Sequence, residues 1–458
     1  MTNLGVKRGL LALTSLVVVL SLFAGTAALP AMAQDEPITL RMAYWGESEA
    51  PGLGAWLEES AAKYMAEHPN IADIELVLLE GEAIYPTFLA QAAAGNPPDI
   101  QFLWGGVLGL EQAWAGNIRP ISDFWSEEEL RHIYCPTRAE GYWNGKQYIL
   151  PLYMDAWLMA YNKDIFKEAG LDPEKPPIYW DEFVAALEKI RDAGYIGTYM
   201  GLKDGYMAAW IPSLLGMDYY TSITDEHMAV IGEESLTEKK HAYWWTLWKE
   251  LLDKQLVNDD LGSITIGEGQ DLFLQGKVGI GMSIQPLITS WMRQMGEDKI
   301  GVMLSPKMRD ALPDGMADEL PVPGADIAIP TAAAHPEEAA DFLKFILINP
   351  ERVNAMFQQT GAFPGSDQLD ISSVTLPTDK QMYQWIQERP GYTYNYNYPG
   401  DFETSLYTIG QRFVAGELTP EQAAQEYEAA AAKWRENNPQ GVENFKIWID
   451  KPLVCPYQ

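Results

Sequence analysis

From Ile38 onward the apolar residues of the chain fall into two alternating rhythms. ITLRMAYW (Ile38 to Trp45), IELVLLE (Ile74 to Glu80) and Asp99 to Leu103, which follows the Pro97-Pro98 break, are short runs of the kind that form strands. Between them, WLEESAAKYMAEH (Trp56 to His68) and Tyr85 to Ala94 space their apolar residues at helical intervals. The same reading predicts helices over Ile178 to Gly194, Leu236 to Leu256, Pro336 to Ile348, Pro350 to Gln359 and Pro420 to Glu436, with a short one closing at Gln270 to Gln275. Strands are predicted over Gly276 to Ile284 and Ile327 to Ile329, and Met308 to Pro323 reads as a loop or insertion. In the helix after Tyr179, Asp181 and Glu182 lie near the positive end of the helix dipole, Phe183, Leu187 and Ile190 share a face, and Gly194 ends it. Strands alternating with helices imply an α/β fold around a mostly parallel sheet covered on both faces.

One run stands apart. Read as a strand, LYMDAWLMAY puts Leu152, Met154, Ala156, Leu158 and Ala160 on one face, and Tyr153, Asp155, Trp157, Met159 and Tyr161 on the other. An aliphatic face is ordinary core. A face of aromatic rings with one carboxylate must satisfy that charge inside the fold or present it to something.

The N-terminus changes the picture of location. Lys7 and Arg8 precede an apolar run from Gly9 to Leu29, and Ala31-Met32-Ala33 has the small-x-small form of a signal-peptidase site, so residues 1–33 read as a signal peptide and Gln34 as the first mature residue. The competing reading is an uncleaved anchor, since the run is about as long as a membrane-spanning helix needs. No cysteine near the cleavage site offers a lipid attachment point. The net charge of −32 becomes −34 when Lys7 and Arg8 are removed, an excess that repels phosphate backbones and anionic membranes and argues against nucleic-acid and lipid partners. Cys135 and Cys455 are the only two cysteines, and in an exported chain they are expected to pair.

Catalytic signatures are absent. The five histidines, His68, His132, His227, His241 and His335, are far apart without metal-site spacing and read as surface or cap residues. The glycines Gly276, Gly279 and Gly281 do not have dinucleotide spacing, and no cofactor is indicated. A secreted glycosidase stays open as a rival, because its two carboxylates need only stand roughly 5 to 9.5 Å apart in space. The aromatic content points elsewhere: 16 tryptophans and 23 tyrosines outnumber 14 phenylalanines. Rings with a polar edge suit sugars, whose C–H faces stack while their hydroxyls seek carboxylates and amides. Such groups occur where strands end, at Trp45 with Glu47, Trp104 before Gly105-Gly106, and Asp155 with Trp157. The plain alternative is that each of these rings fills a large core.

Longer stretches then carry a resemblance. PPDIQFLWGGVLGLEQAWAGNIRPISDF, YILPLYMDAWLMAYNKDIFKEAGLDPEKPPIYWDEFVAALEKIRDAG, FLQGKVGIGMSIQPLITSW, GADIAIPTAAAHPEEAADFLKFILINPERVNAM and AGELTPEQAAQEYEAAAAKW resemble, in order, the segments of family 1 extracellular solute-binding proteins, the sugar-capturing components of ABC importers. YNKDIFKEAG followed by PPIYWDEF is the most specific part. The resemblance implies a two-lobed periplasmic-binding-protein fold (type II) with the ligand between lobes. It places lobe 1 in residues 34–153 and 324–366 and lobe 2 in residues 154–323 and 367–458, with hinge crossings within Ile149 to Tyr161, near Val322 to Ile329 and near Phe363 to Asp367.

By the same resemblance Asp155 accepts sugar hydroxyls, Trp157 lines the wall, and Trp45, Glu47, Trp104, Gln285, Trp291 and Asp326 join them. Two features depart from the family. Tyr179 stands where a threonine usually caps the helix, a weaker cap by about 1 kcal/mol, and GYTYNYNYPG (Gly391 to Gly400) has no counterpart and could extend the binding surface or pack lobe 2. The implied function is an exported, monomeric binding protein, not an enzyme, that captures a carbohydrate, in the first instance an oligosaccharide, and delivers it to an ABC permease from the periplasm or extracellular envelope. A peptide or polyamine is the alternative solute.

Overall fold

In the computed structural model, which describes residues 37–391 and 397–455, two sheets organise the chain. The expected signal peptide and the middle of the tyrosine tract lie outside the described residues. The first sheet runs in the order Ile71–Leu78, Ile38–Tyr44, Ile100–Trp104, Gly324–Pro330, Ile118–Arg119, with Ile149–Met154 also paired to Gly324–Pro330. Its three opening strands are parallel, as strand–helix alternation requires, and the returning strand Gly324–Pro330 is antiparallel to all its neighbours. The second sheet has the order Ile300–Met303, Trp157–Asn162, Val278–Ile284, Ile196–Thr198.

Each sheet carries its own core. Helices Leu53–Glu67 and Pro336–Leu347 bury Trp56, Leu57, Phe342 and Leu343 against the first sheet. Against the second, Trp180–Asp192 buries Phe183, Leu187 and Ile190, and Lys239–Asp253 stacks Trp244, Trp245 and Trp248 within the core. Those tryptophans are packing groups. The tyrosine tract contributes Asn397 and Tyr398 to the same lobe: Tyr398 is fully buried between Phe402 and Tyr427, and Asn397 donates to Glu226 and meets His227.

The run LYMDAWLMAY corrects the reading of one continuous strand. Ile149–Met154 belongs to the first sheet and Trp157–Asn162 to the second, with the break at Asp155-Ala156 where the chain crosses between them. Every position from Ile149 to Tyr161 is buried, so its two faces are not core against cleft. Two histidines also differ from expectation. His227 and His241 are 6% and 2% exposed, held by Asn397 in one case and by Tyr220 and Glu234 in the other, so they serve as buried hydrogen-bonding groups. At Tyr179 the missing side-chain cap is offset from the helix itself, where the Glu182 carboxylate accepts the N–H groups of Ile178 and Tyr179. Arg309 pairs with Asp181 and Glu182 and lies over the Tyr179 ring.

Cys135 opens the helix Cys135–Glu140 and is disulfide-bonded to Cys455 across 320 positions of sequence. Beside that link, helix Pro439–Asp450 accepts the Trp143 indole N–H at Asn444 O (2.9 Å) and places Phe445 near Trp114. Among the described residues no helix is long and apolar enough to cross a membrane.

Candidate functional site

Where the chain crosses between sheets, aromatic rings and carboxylates from both gather. On the first-sheet side, Trp45 at the end of its strand meets Trp104 edge-on at 4.7 Å and Phe102 at 5.6 Å. Tyr85, on helix Ile84–Ala93, accepts the Trp104 backbone N–H on its hydroxyl. Trp45, Tyr85 and Trp104 are all half-buried. Gly46 turns the chain at φ +120°, and a Cβ there would meet the Tyr153 hydroxyl at 2.6 Å, so glycine is what lets that ring come close. Tyr153 in turn donates to Glu49 at 3.3 Å.

On the second-sheet side, Trp157 is 2% exposed and lies 4.6 Å from Trp210, whose ring is half-buried and also neighbours Tyr206. Tyr206 precedes helix Met207–Leu215, and Tyr407, on helix Gly400–Val414, packs on Gly205. Tyr407 feels Glu403, Tyr85 and Tyr206, and Tyr206 feels Glu49, so the two sides form one electrostatic neighbourhood. Gly400 donates its N–H to Glu111 of helix Gly106–Trp114 at 3.2 Å, a direct bond between them.

Burial raises the carboxyls here above their ordinary range. Burial pushes Asp155 up to about 7; the Trp157 indole N–H opposes this only in part and closes no hydrogen bond of standard geometry. Glu49 is raised well above the carboxylate range by burial and then by Asp155. Burial pushes Glu111 up to about 7, against the Gly400 N–H. Asp326 is fully buried, neither of its oxygens has a hydrogen-bond partner, and burial alone raises it well above its ordinary value. It stands opposite Pro151, which has no N–H to offer, where the pairing register shifts between Ala325 and Asp326. Among the described residues no group of three or more His, Cys, Asp or Glu could hold a metal ion.

The eight residues predicted from sequence therefore separate. Trp45, Trp104, Asp155, Trp157 and Asp326 come together at the crossing. Glu47 turns away: its two oxygens accept the N–H groups of Gly52 and Gly54, each at 2.8 Å, at the start of helix Leu53–Glu67. Gln285 is fully buried and fully engaged, donating to Thr289 and Gly361 O and accepting from Phe363. Trp291 is stacked on Phe273 in the core. Glu47→Ala is expected to destabilise the fold by about 1 kcal/mol, the usual loss of a helix N-terminal cap, and to leave solute affinity unchanged, as chemical denaturation and a binding titration would check. The residues missed from sequence are Glu49, Tyr85, Glu111, Tyr206, Trp210, Glu403 and Tyr407.

Two α/β lobes joined by strand crossings, with half-buried rings from both gathered there, make the two-lobed periplasmic-binding-protein fold. The chain belongs to the bacterial extracellular solute-binding proteins, whose family model matches residues 48–350. It is 25% identical over 262 residues to a putative binding protein of Brucella abortus, covering 55% of this chain and 60% of the relative's length. It is 27% identical over 174 residues to the sn-glycerol-3-phosphate-binding periplasmic protein UgpB of Pectobacterium atrosepticum, 36% and 37% of the two chains. A solved chitin oligosaccharide binding protein superimposes with a TM-score of 0.76 at 20% identity, covering 87% of this chain and 99% of that one.

Proposed function

We propose that this protein captures an oligosaccharide between its lobes, returns it unchanged and passes it to an ABC permease, acting as an exported monomer. The observation that carries this reading is the gathering of half-buried rings from both lobes, Trp45, Tyr85 and Trp104 with Tyr206, Trp210 and Tyr407, near the crossing carboxyls Asp155 and Asp326. Rings take the C–H faces of successive sugars, and carboxyls take hydroxyls between them. A structural likeness to a chitin oligosaccharide binding protein supports the same class of solute. Glycerol phosphate, named for one relative, suits this site poorly, since among the described residues no basic side chain acts on Glu49, Glu111, Asp155 or Asp326.

The lobe boundaries fall at the crossings near 155/156, between Ile149–Met154 and Trp157–Asn162, and near 323/324 and 366/367. Solute contacts from both lobes favour the closed arrangement, and closure is the signal a permease reads. Trp210→Ala removes a central ring beside Trp157, and it is expected to weaken oligosaccharide binding by about 2 kcal/mol, roughly thirtyfold. A titration in which this variant binds like wild type would remove Trp210 from the site.

A further inference from the structure

Acidic groups gather around the crossing. Glu49 comes from the turn after the first strand, Glu111 from helix Gly106–Trp114, Asp155 and Asp326 from the crossings, and Glu403, 5% exposed, from helix Gly400–Val414. The titratable groups facing them are Tyr153 and Tyr206 at Glu49, Asp401 at Glu111, Tyr85 at Asp326, and Tyr85 and Tyr407 at Glu403. Glu140 lies close by, accepting the Gly324 N–H at 3.4 Å. Among the described residues no lysine, arginine or histidine acts on Glu49, Glu111, Asp155 or Asp326.

Hydroxyl contacts alone do not account for Asp326. A buried carboxyl with both oxygens unpartnered is costly unless a ligand completes it. A neutral hydroxyl would satisfy one oxygen. An ammonium group offers three donors and the missing positive charge, in a place where low polarity strengthens the pairing.

Resting on the oligosaccharide reading, we propose that the solute is an aminated oligosaccharide, with at least one free amine held as an ammonium against Asp326 at the crossing. The aromatic rings bind the sugar units, and Asp326 chooses among them by charge. An N-acylated, phosphorylated or carboxylated counterpart lacks the group that this carboxyl completes.

The test is calorimetric titration of the mature protein with two probes of equal length, a β-1,4-linked glucosamine tetramer and its neutral N-acetylated counterpart, below the amine's pKa. The amine is expected to bind at least tenfold tighter. Asp326→Asn is expected to bring the two affinities within about twofold by weakening the amine alone. Asp155→Asn provides a second variant, with the same direction, should the first not fold. Equal affinities, or a preference for the neutral tetramer, would overturn the proposal while leaving oligosaccharide capture intact. Binding of spermidine with neither tetramer bound, or no binding of any probe to the folded protein, would overturn both.

Discussion

Replacing Cys135 and Cys455 together by serine is expected to lower the unfolding free energy by as much as about 6 kcal/mol, the value the chain-entropy model gives for so long a loop. The bond spans 320 positions, so without it the unfolded chain regains the freedom of that whole span. The folded state should change little. Helix Pro439–Asp450 keeps its own anchors, the Trp143 to Asn444 hydrogen bond, the Phe445 contact with Trp114, and Lys451 donating to Asn144 at 3.1 Å. Both cysteines are half-buried, so a reductant should reproduce the effect in the native sequence. Guanidinium denaturation of wild type, reduced wild type and the double variant measures it. Coincident curves would show that the unfolded chain is not restrained by this link.

The empty protein is expected to lose stability as pH rises from about 5 to 8. Asp155 and Glu111 are held up at about 7, so up to that pH the folded chain keeps protons that the unfolded chain has already released. Stability therefore falls with rising pH. For Asp155 alone the whole fall is on the order of 4 kcal/mol, since each tenfold difference in proton affinity between the folded and unfolded chain is worth about 1.4 kcal/mol. Glu319, also pushed up to about 7 by burial, acts in the same direction, and Asp379, at about 6, does so earlier. His227 acts oppositely. Burial lowers it to about 4, so its contribution grows with pH and is complete near the ordinary histidine value. The net change is a fall throughout, because these carboxyls outnumber the histidine. Denaturation midpoints at pH 5, 6.5 and 8 measure the trend, and Asp155→Asn should flatten it. Stability that rises to pH 8 would mean these carboxyls ionise freely in the folded state.

The opening half of the fold was legible because its signals are local. The strands near Ile38, Ile74 and Ile100 and the helices between them are each written in a few apolar positions. Helices such as Gly106–Trp114, Met207–Leu215 and Gln285–Met295 were not, because glycine-rich or proline-containing starts read as loop: Gly105-Gly106 opens the first, Pro212 lies inside the second and Pro286 at the head of the third. The crossing at Asp155 was found as an unusual strand, but the break within it depends on two sheets meeting, which no alternation pattern shows.

The site divides along the same line. A strand end places a residue near a cleft, which is why Trp45, Trp104, Asp155 and Trp157 were visible, while Asp326 came from the family resemblance alone. It does not say where the side chain goes, and Glu47 and Gln285 turn instead to a helix start and to the backbone of Gly361 and Phe363. Tyr85, Tyr206, Trp210 and Tyr407 come from helices and loops far apart in sequence. Only packing between the sheets brings them together.

The most direct measurement is an intrinsic tryptophan fluorescence titration of the mature protein with neutral and aminated oligosaccharides of increasing length, with the sugar recovered afterwards and its mass compared with the starting material. Trp45, Trp104, Trp157 and Trp210 stand at the crossing, so capture should give a saturable change with a dissociation constant in the micromolar range or tighter, about 8 kcal/mol or more of binding free energy, and intact sugar returned. No response from the folded protein to any oligosaccharide, or recovery of shortened products, would contradict capture between the lobes as its function.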